Sequence, residues 1–134
     1  MKFSKVNHED FLYILVRKLV AVSCRDDLEN LPQTVVGKLD RGEAHLFIGD
    51  RCGAVLELAI EDGEMTMYIV FGWSDSGEGI KKYIDSYYQL AKDASAKKIV
   101  VLSRRIGVYR LWRKYGFKVA GYSNEGLLRF EKRL

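Results

Sequence analysis

A chain of 134 residues with 48% hydrophobic side chains and one proline has the length of one ordinary domain and enough apolar material for a core. Its longest apolar stretch, Phe11 to Val22, is broken by Arg17 and Lys18 and is too short for the roughly 20 apolar residues of a membrane span; the acids in the opening MKFSKVNHED do not suit a secretory leader. With 22 basic against 18 acidic residues and a formal charge of +4, the chain reads as a soluble, cytoplasmic protein, free of membrane, that permits an anionic partner without requiring one.

In chain order, Asn7 and Asp10 look like a cap and first-turn acid ahead of Phe11, Leu12, Leu15, Leu19 and Val22, which recur at helical spacing. Cys24 and Cys52 have no second Cys or His at metal-ligand spacing, so neither a metal site nor a disulfide framework is expected, and both are read as free thiols in or near the core. Leu28, Leu31, Pro32, Val35, Val36 and Leu39 form a second short helix stopped by Gly42. The period then changes to two. Ala44, Leu46 and Ile48 alternate, Gly49 to Gly53 turns, Ala54, Leu56, Leu58 and Ile60 alternate again, and the turn at Glu61 to Glu64 leads into a third strand, Met65 to Phe71. Tight turns make these strands an antiparallel meander.

After Gly79, Ile80, Tyr83, Ile84, Tyr87, Ala91 and Ala94 share one face of the longest helix, with Lys81, Asp85, Gln89 and Lys92 opposite. Ile99 to Leu102 is a continuous apolar run, the pattern of a strand buried on both faces, and completes a βαβ unit with a parallel pair. Val108, Leu111, Trp112 and Tyr115 make a short helix ended by Gly116. Phe117 to Tyr122 and Gly126 to Phe130 read as a hairpin around Ser123 and Asn124.

Helices, meander, βαβ crossover, short helix and strand pair in that order resemble the GNAT superfamily of N-acetyltransferases over nearly the whole chain. The most specific stretch is VYRLWRKYGFKVAGY, Val108 to Tyr122; WSDSGEGI, Trp73 to Ile80, stands where that family carries an Arg/Gln-x-x-Gly-x-Gly/Ala loop. The resemblance implies a single mixed α/β domain over residues 1–134, acetyl-CoA as cofactor, and transfer of its acyl group to an amine or protein acceptor. It places the cofactor against Val70, Phe71, Ser76, Gly77, Glu78, Gly79 and Ile80. Closely spaced glycines let the backbone turn sharply and aim the first N–H groups of a helix at a diphosphate, where the helix dipole also favours negative charge. Ser74 replaces the family's Arg or Gln, and Asp75 and Glu78 oppose an anion while Lys81 and Lys82 offset them. The alternative is structural: Ser76 caps the helix, Glu78 complements its dipole, and the glycines make the turn.

The family's chemistry joins a base that takes the amine proton to an acid, often Tyr, that protonates the departing thiolate. Counting back from Gly116, the acid position is Trp112, whose indole cannot serve as a phenol does, and the family's upstream Asn position is Arg105. Tyr109, one turn earlier, is the candidate acid, or else half-buried packing. Glu57, amid Val55, Leu56, Leu58 and Ala59, is the candidate base, or else marks a wet strand face. His8 and His45 are assigned no role.

Ser103 to Lys118, SRRIGVYRLWRKYGFK, is also similar to short GNAT-like proteins of tailed phages. That implies an alternative of a different class: a non-catalytic virion, internal or scaffold protein acting on a phage or host partner. The cluster Lys97, Lys98, Arg104, Arg105, Arg110, Arg113, Lys114 and Lys118 raises nucleic acid as a third reading, ranked last because no nucleic-acid motif accompanies it.

Overall fold

The computed structural model describes residues 2–124 and 126–134. Its N-terminal half holds β1 (Ser4–Val6), a 3-10 turn (His8–Phe11), α1 (Leu12–Asp26), α2 (Leu31–Asp40), β2 (Ala44–Gly49) and β3 (Cys52–Glu61). β4 (Glu64–Ser74), α3 (Gly79–Asp93), β5 (Lys98–Ser103), α4 (Ile106–Arg113), β6 (Lys118–Tyr122) and β7 (Leu128–Arg133) follow. The expected mixed α/β order is present, with shifted boundaries. Asn7 does cap, its side chain accepting from the Glu9 N–H at 3.1 Å, but it caps the 3-10 turn and not α1. β1 was not anticipated. The turn expected over Gly49 to Gly53 contracts to Asp50 and Arg51, and the closing strand starts at Leu128, two residues later than its pattern indicated. Asp62 and Gly63 both take positive φ, 52° and 78°, the combination a two-residue hairpin needs to match strand twist.

The strands form one seven-stranded sheet in the order β1-β2-β3-β4-β5-β7-β6. Every neighbouring pair is antiparallel except β4 and β5, which the α3 crossover makes parallel. The final hairpin enters with its second strand inward, so that β7 pairs with β5 and β6 lies at the edge.

Each face of the sheet is covered by one pair of helices. Leu15 and Leu19 of α1 and Val35 and Leu39 of α2 pack on Ala44, Leu46, Val55 and Phe71. Tyr83, Ile84, Tyr87 and Ala91 of α3 and Trp112 of α4 pack on Ala54, Leu56, Met67, Ile69, Ile99, Val101 and Phe130. Complete burial of an aliphatic side chain such as Leu15 or Ile99 is worth about 1.5–3 kcal/mol, so these two seams fix which way each strand faces. Of the apolar run Ile99 to Leu102, Ile99 to Val101 are buried as the pattern required and Leu102 is half-buried, while the charged Lys98 ahead of it is buried as well. Of the cysteines, Cys52 is buried and Cys24 is exposed on α1, so the expectation of two core-proximal thiols holds for Cys52 alone.

Candidate functional site

The site begins with an irregularity in β4. Val55 of β3 stands opposite Phe71, but the next residue, Leu56, stands opposite Ile69, which leaves Val70 as the extra residue of a bulge. Along a regular strand Ile69 and Phe71 share a face. Here Ile69 belongs to the α3 seam and Phe71 to the α1–α2 seam, because the bulge reverses the alternation. It also turns the strand away from its neighbour. Parallel pairing of β4 with β5 runs only from Thr66 opposite Lys98 to Ile69 opposite Val101, although β4 continues to Ser74 and β5 to Ser103. Beyond that point each strand is held only from its far side: Phe71 to Ser74 by β3, and Leu102 and Ser103 by β7. The result is a wedge, its apex at Val70, with backbone groups of both lips left outside the ladder between them.

The loop that leaves β4 at the mouth of this wedge opens α3. Gly77 has φ +73° and open space where a Cβ would project, so it makes the turn and leaves the mouth clear. Gly79 is tied down: its N–H donates to Ser74 Oγ at 3.1 Å, and a Cβ there would lie 2.8 Å from that of Ser74. Ser76 Oγ accepts from the Glu78 N–H at 3.3 Å and lies 3.2 Å from Ser74 Oγ. No side chain caps α3 from the N-cap residue Glu78, so the first-turn N–H groups beyond Gly79 face the mouth as donors.

The acids that seemed to bar an anion are both neutralised. Asp75 pairs with Lys18 of α1, and Glu78 with Lys82 at 3.8 Å. On the other lip, Arg105 donates from Nε to Asp26, the last residue of α1, at 2.9 Å, and Arg25 binds the same carboxylate at 3.0 Å. Those bonds, Arg25 foremost, hold Asp26 below the usual carboxylate range. Helix α1 is thus fastened to both lips of the wedge.

No family model matches the chain, and no curated protein matches it in sequence. Solved structures do resemble it. An acetyltransferase of the GNAT family from Listeria monocytogenes superimposes with a TM-score of 0.63 at 16% identity, over 98% of this chain and 95% of its own. Another from Streptococcus agalactiae gives 0.64 at 13%, over 99% and 94%. An acetyltransferase from Thermus thermophilus gives 0.67 at 11%, over 100% and 98%. The chain has the GNAT fold.

Within that fold the expected site residues fall into two groups. Val70, Phe71, Ser76, Gly77, Glu78, Gly79 and Ile80 all lie along the wedge, from its apex to the start of α3. Phe71, however, is 7% exposed and turned into the α1–α2 seam, so only its backbone is on offer. Ser74, counted as a departure from the family's pattern, is the residue that holds the loop closed on Gly79, the task the structural alternative gave to Ser76.

The candidate catalytic residues are not brought together. Glu57 accepts Lys38 Nζ at 3.0 Å on both carboxylate oxygens and links α2 to β3. Tyr109 lies with its ring 5.0 Å from that of Phe130, as half-buried packing. Trp112 is 4% exposed, edge-on to Tyr87 and Phe117 at 5.6 and 4.9 Å, and is a core residue. Sequence reasoning missed Lys18 and Asp26 altogether. A visible trace of Lys18 was its interruption of an otherwise apolar stretch, but its partner stands 57 positions away.

At the closed end of the wedge a charged network spans the sheet. Glu61 of β3 accepts Lys98 Nζ of β5 at 2.7 Å, Arg129 of β7, and the Tyr68 hydroxyl of β4. Arg129 above all, with Lys98 and Tyr68, lowers the Glu61 carboxyl to about 2, while burial raises the Tyr68 phenol. Among the described residues no group of acids, His and Cys is placed to hold a metal ion, and no helix is long and apolar enough to cross a membrane.

Proposed function

We propose that this protein binds acyl-CoA in the β4–β5 wedge and transfers the acyl group to an amine. The observation that carries the reading is the wedge itself: a parallel pair that parts at a bulge and opens, across a glycine turn, onto a helix start whose N–H groups beyond Gly79 take no side-chain cap. The residues fit the ligand. Asp75 and Glu78 are both paired, Gly77 leaves the mouth clear, and free N–H groups at the start of α3 suit phosphate oxygens. Acyl-CoA supplies an activated thioester carbonyl. The unpaired backbone at Val70 lines the apex, where amide donors would orient an extended pantetheine arm and polarise the carbonyl.

The wedge would hold that carbonyl in reach of an incoming amine, and positioning alone can account for a large part of a rate enhancement. Glu57 could act as base only by releasing Lys38, and Tyr109 as acid only by leaving Phe130. The buried Trp112 therefore favours a second reading of the same pocket, in which the chain binds acyl-CoA or a phage or host partner without turnover.

The test is a thermal melt with millimolar acetyl-CoA, which should raise the melting temperature by mass action, followed by Gly77→Glu, which places a carboxylate where the phosphates would lie and should remove the shift. No shift for the unaltered protein ends the acyl-CoA reading. A shift without thiol release from acetyl-CoA in the presence of a panel of amines, peptides and polyamines selects the non-catalytic reading.

A further inference from the structure

The positive charge missing from the β4–α3 loop is present on the opposite lip. From Ala94 to Asn124 the chain carries eight basic side chains and no Asp or Glu, although the whole chain is only +4. The remainder is therefore net acidic, and the charge asymmetry centres on β5, α4 and β6. Two of these bases stand at the mouth of the wedge. Val101 is the last β5 residue paired with β4, and Arg104 and Arg105 follow where the lips part. With Gly107, Val108 and Leu111 they line a surface groove. The floor of that groove is apolar: Leu111 is 46% exposed, and nothing lies within 4 Å of where a Gly107 Cβ would stand.

The ion pairs at the mouth leave this lip the more positive of the two, since only Lys81 adds to the paired charges on the other. Lys18 cancels Asp75, and Lys82 cancels Glu78. Asp26, by contrast, is shared between Arg25 and Arg105, and Arg104 has no ion-pair partner among the described residues. Arg105 is anchored through Nε with its side chain 46% exposed, so its guanidinium is oriented before any ligand arrives. The two anchor points on α1, Lys18 and Asp26, are about 12 Å apart along the helix axis.

We propose that the β5–α4 lip holds the nucleotide end of acyl-CoA, with its phosphates on Arg104 and Arg105 and its base over Val108 and Leu111. Arginine suits this task because its planar fork binds phosphate oxygens in pairs. The inference rests on the acyl-CoA reading above and adds to it where the nucleotide lies and what replaces the cation absent at Ser74.

The test is isothermal titration of CoA, 3′-dephospho-CoA and pantetheine into the unaltered protein, Arg104→Ala and Arg104→Glu, each variant first melted without ligand to establish that it folds. Arg104 is exposed and carries no ion pair among the described residues, so the ligand-free melts should coincide. Arg104→Glu should weaken CoA about tenfold or more and flatten its salt dependence, with pantetheine unchanged. Loss of the effect with 3′-dephospho-CoA assigns Arg104 to the 3′-phosphate; persistence assigns it to the diphosphate. CoA binding by Arg104→Glu equal to that of the unaltered protein overturns this inference alone. Absence of CoA binding by the unaltered protein overturns the acyl-CoA reading and this inference with it.

Discussion

At the scale of single residues, two glycines of one loop do different work, and substitution separates them. Gly77 needs its positive φ but touches nothing, so Gly77→Ala should cost about 1 kcal/mol through backbone strain alone. Gly79 needs space: an added methyl would meet Ser74 Cβ at 2.8 Å and Oγ at 3.0 Å, disturbing the hydroxyl that accepts the Gly79 N–H. Gly79→Ala should therefore cost more, about 1–3 kcal/mol, and the difference between the two variants is readable as a difference in urea midpoints. Trp112 sets a second contrast. Packed between Tyr87 and Phe117, it should cost about 3–5 kcal/mol when cut to alanine. Trp112→Tyr, which puts a phenol where the sequence resemblance expects an acid, should leave any thiol-release rate no higher, because a phenol at a 4% exposed position stays in the core. A rate gain in that variant would show that α4 rotates to present this position.

At the scale of elements, α1 is the part whose role the amphipathic pattern conceals. Its inward stripe, Leu15 and Leu19, makes it look like a covering helix and nothing more. Yet Lys18 and Asp26, flanking that stripe, fasten it to the loops at either side of the wedge. Both bridges are partly exposed, so each contributes little to global stability, about 0.2–1 kcal/mol. Their effect should be local. Lys18→Ala should speed amide hydrogen exchange in residues 74–79 severalfold while exchange in β3 is unchanged, and Asp26→Asn should do the same for residues 103–107. Uniform exchange in both variants would mean that the loops hold themselves, through Ser74 and Ser76, without α1. The apolar outer face of the same helix, where Tyr13 is 75% and Val20 44% exposed, takes no part in these bridges.

At the scale of the whole molecule, what could be read from the sequence is what periodicity encodes. The inward face of α3 and the buried run of β5 followed from spacing, whereas the fold followed from the resemblance that the whole order of elements and the stretch Val108 to Tyr122 carry. The bulge could not be read, because Tyr68 to Phe71 is a plain apolar run and only the register opposite β3 exposes the extra residue. β1 is three residues with one apolar side chain, too short to show a period. The ion pairs join residues far apart in the chain, and charge patterns do not record their partners. The closed end of the wedge depends on one such cluster. Glu61 gathers Lys98, Arg129 and Tyr68, so a single carboxylate joins β3, β4, β5 and β7 where the wedge must not open. Its carboxyl falls from 4.5 to about 2 on folding, chiefly through Arg129. A depressed acid contributes its stability fully above its unfolded value and loses it as pH falls towards the folded one. The denaturation midpoint should therefore hold steady above pH 4.5 and decline between there and about 2. Glu61→Gln should lower the unfolding free energy at neutral pH by about 3 kcal/mol, read from the shift in midpoint, since it leaves Lys98, 6% exposed, without its counter-charge. The same variant should also flatten the acid decline; a decline as steep as that of the unaltered protein would assign acid sensitivity to other carboxylates, Asp26 first among them.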